Sequence, residues 1–320
     1  MSAILVTGAA GFAGSHLLEH LAGRGDLVGW ARSEPPADVA RLARWTRIDM
    51  LDGRRVREEI AALRPIEVYH CAGYANVAES WHDTAKPLAG NVMTTHHLLD
   101  GLRRAGCASR VIVPGSATVY AGSSTPHRED SPLAPSSPYA VSKLAQEQLG
   151  VKAVSEDGID VILTRPFNHI GRRQSPTFSV SGMTRQIVAI ERGEMAAVIH
   201  VGRLDTARDI IDVRDTVRAY ALLMERGIPG TIYNIASGIP RTMRMVLDAL
   251  LERARVPVAT EVDPARLRPH DDLVLVGDAT RLRSETGWEP QVPFDRTLDD
   301  LFDYWRSMPV LDSVAPRPRN

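Results

Sequence analysis

Short apolar runs alternate with amphipathic stretches through the first half of the chain. The apolar runs are often β-branched and predict strands; they are Ala3–Thr7, Leu27–Arg32, Trp45–Ile48, Glu67–Cys71, Arg110–Pro114 and Val161–Arg165. The stretches between them carry apolar residues at helical spacing; they are Phe12–Ala22, Arg54–Leu63, Leu88–Arg104 and Tyr139–Glu156. This alternation predicts an α/β fold with a doubly wound parallel sheet, and the nearly continuous apolarity of the runs indicates strands buried on both faces.

The alternation ends after Arg165. The segment Asn168–Phe178 is rich in Arg, Gly, Ser and Pro, which predicts a loop that reaches over a ligand. Further helices are predicted at Met183–Arg192, Arg214–Glu225, Met243–Arg253 and Ala279–Glu285, with Thr242 and Asp278 as N-caps of the last two. We therefore expect a sheet domain over residues 1–166, to which later segments return. This domain would be followed by a smaller C-terminal substrate-binding lobe over residues 167–308. A disordered tail would cover residues 309–320.

A glycine-rich turn follows the first predicted strand. The segment TGAAGFAG places Gly8, Gly11 and Gly14 between this strand and the first amphipathic stretch. Gly8 permits a tight turn, Gly11 lets the backbone approach a pyrophosphate, and Gly14 allows close packing of helix on strand. An ordinary glycine-rich turn is the alternative, but the position between strand and helix favours a dinucleotide site. The sequence thus predicts a Rossmann-type domain, with Phe12 and Ala13 of the same turn also at the cofactor.

The end of the second predicted strand bears on the choice of cofactor. An acid there usually holds the ribose hydroxyls of NAD, whereas this chain has Trp30-Ala31-Arg32-Ser33. The Arg32 guanidinium can meet a 2′-phosphate, and no acid opposes it, so NADP(H) is favoured over NAD. The alternative for Arg32 is a solvated surface arginine.

Tyr139 and Lys143 stand four residues apart in the segment SPYAVSK. Four residues make just over one helical turn, so the phenol and the ammonium lie on one face of the predicted helix. A nearby positive charge favours the phenolate, and we expect Lys143 to lower the pKa of Tyr139. A tyrosine that only packs on a helix face is the alternative. Together with the dinucleotide turn, the pair predicts a redox enzyme with a phenol as its proton donor.

Charge and composition exclude several other classes of protein. A net charge of −1 argues against a nucleic-acid partner. The two cysteines, Cys71 and Cys107, argue against a disulfide framework and fit a reducing compartment. The first predicted strand leaves no room for a signal peptide, and no apolar run reaches the roughly twenty residues that span a bilayer. We therefore expect a soluble, cytoplasmic protein with no membrane span. The ten histidines show no zinc-like spacing with Cys or carboxylates, so no metal site is predicted.

These motifs resemble the extended short-chain dehydrogenase/reductase family from Ile4 to about Trp305. The segments RPFNHIG, ARDIIDV and LRPHDD further resemble enzymes that act on GDP-6-deoxyhexoses, above all reductases of GDP-4-keto-6-deoxy-D-mannose and then GDP-mannose 4,6-dehydratases. The resemblance implies that Ser116 hydrogen-bonds the substrate oxygen, Tyr139 protonates it, and Lys143 holds the nicotinamide ribose. It also implies a homodimer, in which two long helices of each subunit form a four-helix bundle.

The resemblance places further residues at the cofactor. Asp49 and Met50 follow the third predicted strand, where the family usually holds the adenine. A helix-capping acid is the alternative for Asp49. Ala72 and Gly73 follow the fourth predicted strand and would let the backbone pass close to the nicotinamide ribose.

The reaction type depends on a residue that is missing. In the dehydratases, a carboxylate from the segment Ser116–Val119 removes the C5 proton of the sugar. The matching positions here are Ala117, Thr118 and Val119, and none is a base of useful strength. Simple carbonyl reduction is therefore predicted, giving GDP-D-rhamnose or its C4 epimer, GDP-6-deoxy-D-talose. Dehydration stays open, and so does epimerisation, because SATVY also resembles UDP-galactose 4-epimerases. The alternative from another class is a non-catalytic protein that senses NADP, but such a protein would have no need of the phenol.

A nucleotide sugar carries a diphosphate, and the second half of the chain offers arginines for it. The resemblance implies that Asn168 contacts the sugar diphosphate and that Arg208 and Arg268 clamp phosphates. Further candidates for the substrate are Thr118, Arg173, Arg185 and Arg203. For any single arginine a solvated surface position is the alternative, and for His169 in FNHIG a packed or ribose-contacting histidine is favoured over a general acid.

Overall fold

The structure, a computed structural model, describes residues 3–264 and 274–309. Arg268 and most of the expected C-terminal tail, residues 310–320, lie outside the described residues. Among the described residues the strands are β1 Ala3–Thr7, β2 Asp26–Ala31, β3 Arg44–Arg47, β4 Glu67–His70, β5 Arg110–Pro114, β6 Asp160–Pro166, β7 Asn168–Ile170, β8 Val198–Val201, β9 Ala207–Asp212, β10 Ile232–Ile235, β11 Pro240–Thr242, β12 Ala259–Val262 and β13 Val274–Leu275. The helices are α1 Phe12–His20, α2 Gly53–Leu63, α3 Ala85–Pro87, α4 Thr94–Arg104, α5 Pro138–Asp157, α6 Ser179–Glu191, α7 Val213–Arg226, α8 Met243–Leu251, α9 Thr280–Thr286 and α10 Phe294–Ser307.

A seven-stranded sheet with the order β10-β6-β5-β4-β1-β2-β3 forms the centre of the fold. Every neighbouring pair is parallel. The strand order reverses between β1 and β4, and the crevice at the carboxyl ends of these strands is where doubly wound sheets bind ligands. The predicted α/β class with a Rossmann-type sheet is confirmed. The six strands expected from the first half are present, and β10 from the second half completes the sheet.

Both faces of the sheet are covered, as the apolar strands predict. Along β1, Leu5 belongs to one apolar cluster with Val68 and Leu98. The neighbouring Ile4 and Val6 belong to a second cluster on the other face, which α1 and α7 cover. A strand buried on both faces cannot alternate polar with apolar residues, and this explains the continuous runs in the sequence.

The second half forms smaller sheets and a cluster of helices. Strand β9 pairs with β7, β11 and β13, and β8 pairs with β12. Helices α6, α8 and α10 bury a third apolar cluster that includes Ile187, Leu247 and Leu301. Thr242 caps α8 as predicted, because its hydroxyl accepts from the backbone N–H of Met245 at 3.1 Å.

Other elements differ from the sequence prediction. Asp278 lies one residue before the N-cap of α9, and its carboxylate accepts from the N–H of Thr280 at 2.7 Å. The helix expected over Leu88–Arg104 begins as a π-helical turn, Leu88–Met93, and continues as α4. The expected loop Asn168–Phe178 begins with strand β7. Helix α10 was not predicted, although its buried residues stand at helical spacing; these are Leu298, Leu301, Phe302 and Trp305.

Candidate active site

The proton donor and its lysine lie at the start of α5. Ser137 caps this helix, because its hydroxyl accepts from the N–H of Ala140 at 3.1 Å. Pro138 follows at the first helical position, where a missing N–H costs nothing. The local sequence Ser-Pro therefore fixes the helix start, and Tyr139 and Lys143 follow on one face of its first two turns.

Ser116 joins the phenol from the end of β5. It begins a short 3₁₀ turn, and its hydroxyl lies 3.0 Å from the hydroxyl of Thr118. The Ser116 side chain also lies close enough to the phenol of Tyr139 to lower its pKa. The structure thus brings Ser116, Thr118 and Tyr139 together, as two hydroxyls and a phenol that can share one substrate oxygen.

Burial dominates the protonation of this group. It raises the pKa of Tyr139 to about 12, against the opposing hydrogen bond with Ser116. The expectation that Lys143 lowers the pKa of Tyr139 is wrong, because burial raises this pKa and Lys143 does not oppose it. The Lys143 ammonium donates instead to the carbonyl of Pro114 and to Oε1 of Gln146, each at 2.8 Å. Burial also lowers the pKa of Lys143 to about 8. At neutral pH the phenol is therefore protonated, which is the form that a proton donor needs.

The glycine-rich turn has the shape of a pyrophosphate cradle. Gly8 has φ of +64°, and a Cβ on it would lie 2.6 Å from the backbone nitrogen of Ala72. A Cβ on Gly14 would lie 2.3 Å from the carbonyl oxygen of Gly8. Helix α1 begins at Phe12 behind Gly11, and no side chain caps it. The first N–H groups of α1 can therefore meet an anion, so these residues, with Ala13, fit a dinucleotide.

The adenine side of the predicted site is exposed. Arg32 lies directly after β2, is exposed, and makes no hydrogen bond or ion pair within the described part of the chain. Asp49 is exposed too, and its carboxylate accepts from the N–H of Leu51 at 3.0 Å. Met50 is buried, and its carbonyl oxygen lies 2.9 Å from Nδ1 of His97. Of these three residues, Arg32 is the one that offers a charged side chain without a partner in the described part of the chain.

The nicotinamide side of the predicted site is narrow. The backbone N–H of Ala72 donates to the hydroxyl of Thr7 at 3.1 Å. A Cβ on Gly73 would lie 2.7 Å from Oδ1 of Asn91, so a larger residue would press on that side chain. The structure thus brings Ala72 against Gly8, as a shared cofactor site requires.

Asn91 and Ser142 support the predicted site, and the sequence did not reveal them. Asn91 lies in the π-helical turn, accepts from the N–H of Tyr74 at 2.8 Å and donates to the Ser142 hydroxyl at 2.9 Å. Ser142 donates in turn to the carbonyl oxygen of Tyr139 at 2.7 Å. Polar residues on an otherwise apolar helix face were the available signal, but their partners depend on how two helices pack.

Two substrate candidates lie on neighbouring strands of the second half. Asn168 is exposed at the start of β7 and stands beside Ile210 of β9. Arg208 is a half-buried residue of β9, and its guanidinium donates to the carbonyl oxygen of Ala207 at 2.9 Å. His169, next to Asn168, stacks on Phe12 with ring centroids 5.6 Å apart, in agreement with the packed histidine favoured by the sequence.

The other arginine candidates have partners of their own. Arg185 lies over the ring of Trp305, 5.9 Å from its centroid. Arg203 donates to the carboxylate of Asp205 at 2.8 and 3.0 Å. Their predicted roles at the substrate stay predictions.

Arg173 is the most constrained of these candidates. Its guanidinium pairs with Glu19 of α1 at 2.8 Å and with Asp38, and 9% of its side chain is exposed. Its backbone φ is +65°, in the left-handed region. Arg173 thus ties the loop after β7 to the nucleotide-binding half, and its predicted phosphate contact stays a prediction.

The segment that supplies the base of a dehydratase holds no carboxylate. Ala117 and Val119 are buried, and the hydroxyl of Thr118 is engaged with Ser116. Within the described residues no group of three or more His, Cys, Asp or Glu side chains could hold a metal ion. None of the described helices is both long enough and apolar enough to cross a bilayer.

A family model described as GDP-mannose 4,6 dehydratase matches residues 5–301. The chain belongs to this family. The GDP-6-deoxy-D-mannose reductase of Pseudomonas aeruginosa is 33% identical over 95% of this chain and 97% of its own length. A dTDP-glucose 4,6-dehydratase of Streptomyces griseus is 31% identical over 90% of this chain and 89% of its own length.

Solved structures agree with this membership. The structure of RMD from Pseudomonas aeruginosa, in complex with NADPH, superposes with a TM-score of 0.83 and 30% identity, over 96% of this chain and 99% of that one. The resemblance seen in the sequence is confirmed. The family contains both reductases and dehydratases, so the residues at the site have to distinguish these reactions.

Proposed function

We propose that the protein reduces the C4 carbonyl of GDP-4-keto-6-deoxy-D-mannose with NADPH. The product is GDP-D-rhamnose or its C4 epimer, GDP-6-deoxy-D-talose. One observation carries the proposal: Ser116 lies beside the phenol of Tyr139, Lys143 follows Tyr139 by one turn of α5, and the segment Ser116–Tyr120 holds no carboxylate. The match with the reductase of Pseudomonas aeruginosa supports it.

The chain's own groups handle the proton and the oxygen. NADPH, when bound, supplies the hydride that converts the carbonyl carbon to an alcohol carbon. Ser116 and Tyr139 donate hydrogen bonds to the carbonyl oxygen and hold it as negative charge develops there. Tyr139 then gives its proton to the alkoxide, and the phenolate that remains takes a proton back from solvent. Its pKa of about 12 keeps the phenol protonated until the alkoxide forms.

Lys143 supplies a positive charge for the cofactor. Its pKa of about 8 leaves most of the side chain charged at neutral pH. This ammonium lies one helical turn from Tyr139, and when NADPH is bound it would hold the nicotinamide ribose beside the phenol. Loss of this charge as pH rises through 8 should slow the reaction.

The cofactor would lie along the turn between β1 and α1. Gly8, Gly11 and Gly14 leave room for the pyrophosphate, and the start of α1 offers N–H groups to it. The exposed, unpaired guanidinium of Arg32 suits the 2′-phosphate that distinguishes NADPH from NADH. Ala72 and Gly73 would lie at the nicotinamide ribose.

The rival reactions lack support at the site. Dehydration needs a base for the C5 proton, and Ala117, Thr118 and Val119 offer none. Epimerisation would use the same phenol, but the 4-keto intermediate would have to rotate in the site before the hydride returned to its other face. Beyond the SATVY segment, no contact at the site favours it. A protein that only senses NADP would not need Tyr139 beside Ser116.

A homodimer is the second part of the proposal. Three apolar side chains of the long helices are 43 to 47% exposed in the single chain: Leu88, Met93 and Val141. A four-helix bundle with a second copy would cover them. Light scattering at micromolar concentration should give twice the chain mass, and Val141→Glu should shift it towards the monomer. A monomeric wild-type protein would reject the dimer.

We place the reaction in the cytoplasm, because Cys71 and Cys107 are both free thiols. The most informative experiment on function is to incubate the purified protein with NADPH and GDP-4-keto-6-deoxy-D-mannose and to identify the product sugar by NMR. A 6-deoxyhexose with a new C4 hydroxyl supports the proposal and also gives the configuration at C4.

A further inference from the structure

The Lys143 ammonium is held by a side chain that the reaction scheme leaves without a role. Gln146, one turn further along α5, accepts from Lys143 through Oε1 at 2.8 Å and donates through Nε2 to the Thr95 hydroxyl at 2.8 Å. A lysine has only donors to offer, so the amide oxygen must face Lys143 and the amide NH₂ must face Thr95. The side-chain amide of Gln146 can therefore take only this one orientation between its two partners.

The hydrogen bonds continue beyond Thr95 to the nucleotide-binding turn. The Thr95 hydroxyl lies 3.0 Å from Nε2 of His70, and Nδ1 of His70 lies 2.8 Å from the Thr7 hydroxyl. Thr7 also accepts from the N–H of Ala72. Gln146, Thr95 and Thr7 are fully buried, and His70 is 1% exposed. Side chains buried in this way hold one arrangement, since any other would leave polar atoms without partners.

This chain of contacts is suited to holding Lys143 and not to moving its proton. An amide side chain does not exchange protons as a hydroxyl or an imidazole does, so Gln146 interrupts any relay. Burial and the nearby Lys143 charge lower the pKa of His70 to about 3, which keeps the imidazole neutral. The remaining role is positional.

We propose that Gln146 is a positioning residue for the reaction, which fixes the Lys143 ammonium one helical turn from Tyr139 and is itself held by Thr95, His70 and Thr7. The proposal rests on the proposed reductase function for its effect on rate. Its effect on Lys143 follows from the contact alone. Pro114 offers only a backbone carbonyl, so Gln146 is the one side chain among the described residues that hydrogen-bonds this ammonium.

Other titratable groups face Lys143 and stay the same when Gln146 is changed. They are Tyr139 on its own helix, His70 and Cys71 at the end of β4, and His169 of β7. Glu147 adjoins Gln146 but is paired with Arg165. A change of the Lys143 pKa in a Gln146 variant therefore reports on Gln146 itself.

The test measures Lys143 directly, without substrate. The chain has three lysines, Lys86, Lys143 and Lys152, so isotope-labelled lysine gives few NMR signals, and Lys143→Arg assigns the buried one. Gln146→Glu should raise the Lys143 pKa, because a carboxylate favours the ammonium. Gln146→Leu should lower it, because burial remains while an acceptor is lost. Gln148→Leu, an exposed glutamine two residues further along α5, should leave it unchanged.

A Lys143 pKa equal to the wild-type value in the Gln146 variants would overturn the proposal. If Gln146→Leu fails to fold, the isosteric Gln146→Glu decides alone. In the kinetic arm, the alkaline limb of kcat/KM should move in the same direction as the pKa, and Gln146→Leu should lower kcat/KM at neutral pH about tenfold relative to Gln148→Leu. A wild-type protein without reductase activity would reject the proposed function, and the titration would still decide on Gln146.

Discussion

Glu147 and Arg165 form a bidentate ion pair inside the protein, with distances of 2.7 and 2.8 Å. Each side chain is 2% exposed. The Arg165 guanidinium also lies over the ring of Tyr120, 4.9 Å from its centroid. Glu147 stands one turn after Lys143 on α5, and Arg165 belongs to β6 beside it. The pair therefore fixes the helix that carries the catalytic group against the central sheet.

Removing one partner of this pair should strongly lower the stability of the fold. Glu147→Ala leaves the Arg165 charge buried without a partner, and we expect it to lower the free energy of unfolding by about 3–5 kcal/mol. Urea denaturation followed by circular dichroism measures this loss. Glu156→Ala removes an exposed partner of Lys152 on the same helix and should have little effect. Equal losses in the two variants would contradict the role given to Glu147.

The contact between Arg173 and Glu19 should make stability depend on pH in the acid range. Burial alone would raise the pKa of Glu19, but hydrogen bonds with His16 and Arg173 outweigh it and hold the pKa at about 2, below its ordinary 4.5. The carboxylate therefore stabilises the fold above pH 4.5, and this contribution is lost as pH falls towards 2. Glu19→Gln should be less stable than the wild type at neutral pH. The difference should shrink between these two pH values, as measured by thermal unfolding, and a constant difference would contradict the account.

Arg32 should decide between the two nicotinamide cofactors. Arg32→Asp places a negative charge where the 2′-phosphate of NADPH would lie, so NADPH affinity should fall about tenfold or more while NADH affinity changes little. Fluorescence titration of each cofactor measures both values. Arg244→Asp, at another exposed arginine, is the matched control. Equal losses of NADPH and NADH would remove Arg32 from the cofactor site.

The lack of space for a side chain at Gly8 should affect NADPH binding, in addition to the effect of its positive φ. Gly106 has a similar φ of +57° but open space around a Cβ, whereas a Cβ at Gly8 would meet Ala72. Gly106→Ala should cost about 1–2 kcal/mol of stability through backbone strain alone. Gly8→Ala should cost more and should weaken NADPH binding about tenfold or more, because the turn must open. Similar effects of both substitutions on NADPH affinity would argue against the cradle.

The sequence predicts the features that depend on spacing along the chain. Two patterns are recognisable because the residues that act together in space are also close in sequence. They are the glycines Gly8, Gly11 and Gly14 after an apolar run, and Tyr139 four residues before Lys143. The parallel sheet follows in the same way from continuous apolar strands. These features account for the fold class and for the centre of the site.

The sequence does not predict contacts between distant elements. Gln146 and Thr95 meet only because α5 packs beside α4, and the π-helical turn that sets Asn91 in place has no clear sequence signal. Spacing reveals the charge of Lys143 and so predicts a lowered pKa for Tyr139, whereas the burial that raises this pKa depends on the whole fold. The partners of Arg173 were missed for the same reason, since Glu19 and Asp38 lie more than a hundred residues away.

The central claim, that this chain is a reductase and not a dehydratase, can be tested by comparing two reactions of one preparation. Given GDP-4-keto-6-deoxy-D-mannose, the protein should oxidise NADPH, and Tyr139→Phe should abolish this oxidation while NADPH binding stays nearly intact, because only the proton donor is lost. Given GDP-mannose and NADP⁺, it should form no 4-keto-6-deoxy product, because the missing base usually contributes about two to four powers of ten in rate. Dehydration of GDP-mannose at an ordinary enzymatic rate, without oxidation of NADPH by the keto sugar, would contradict the account.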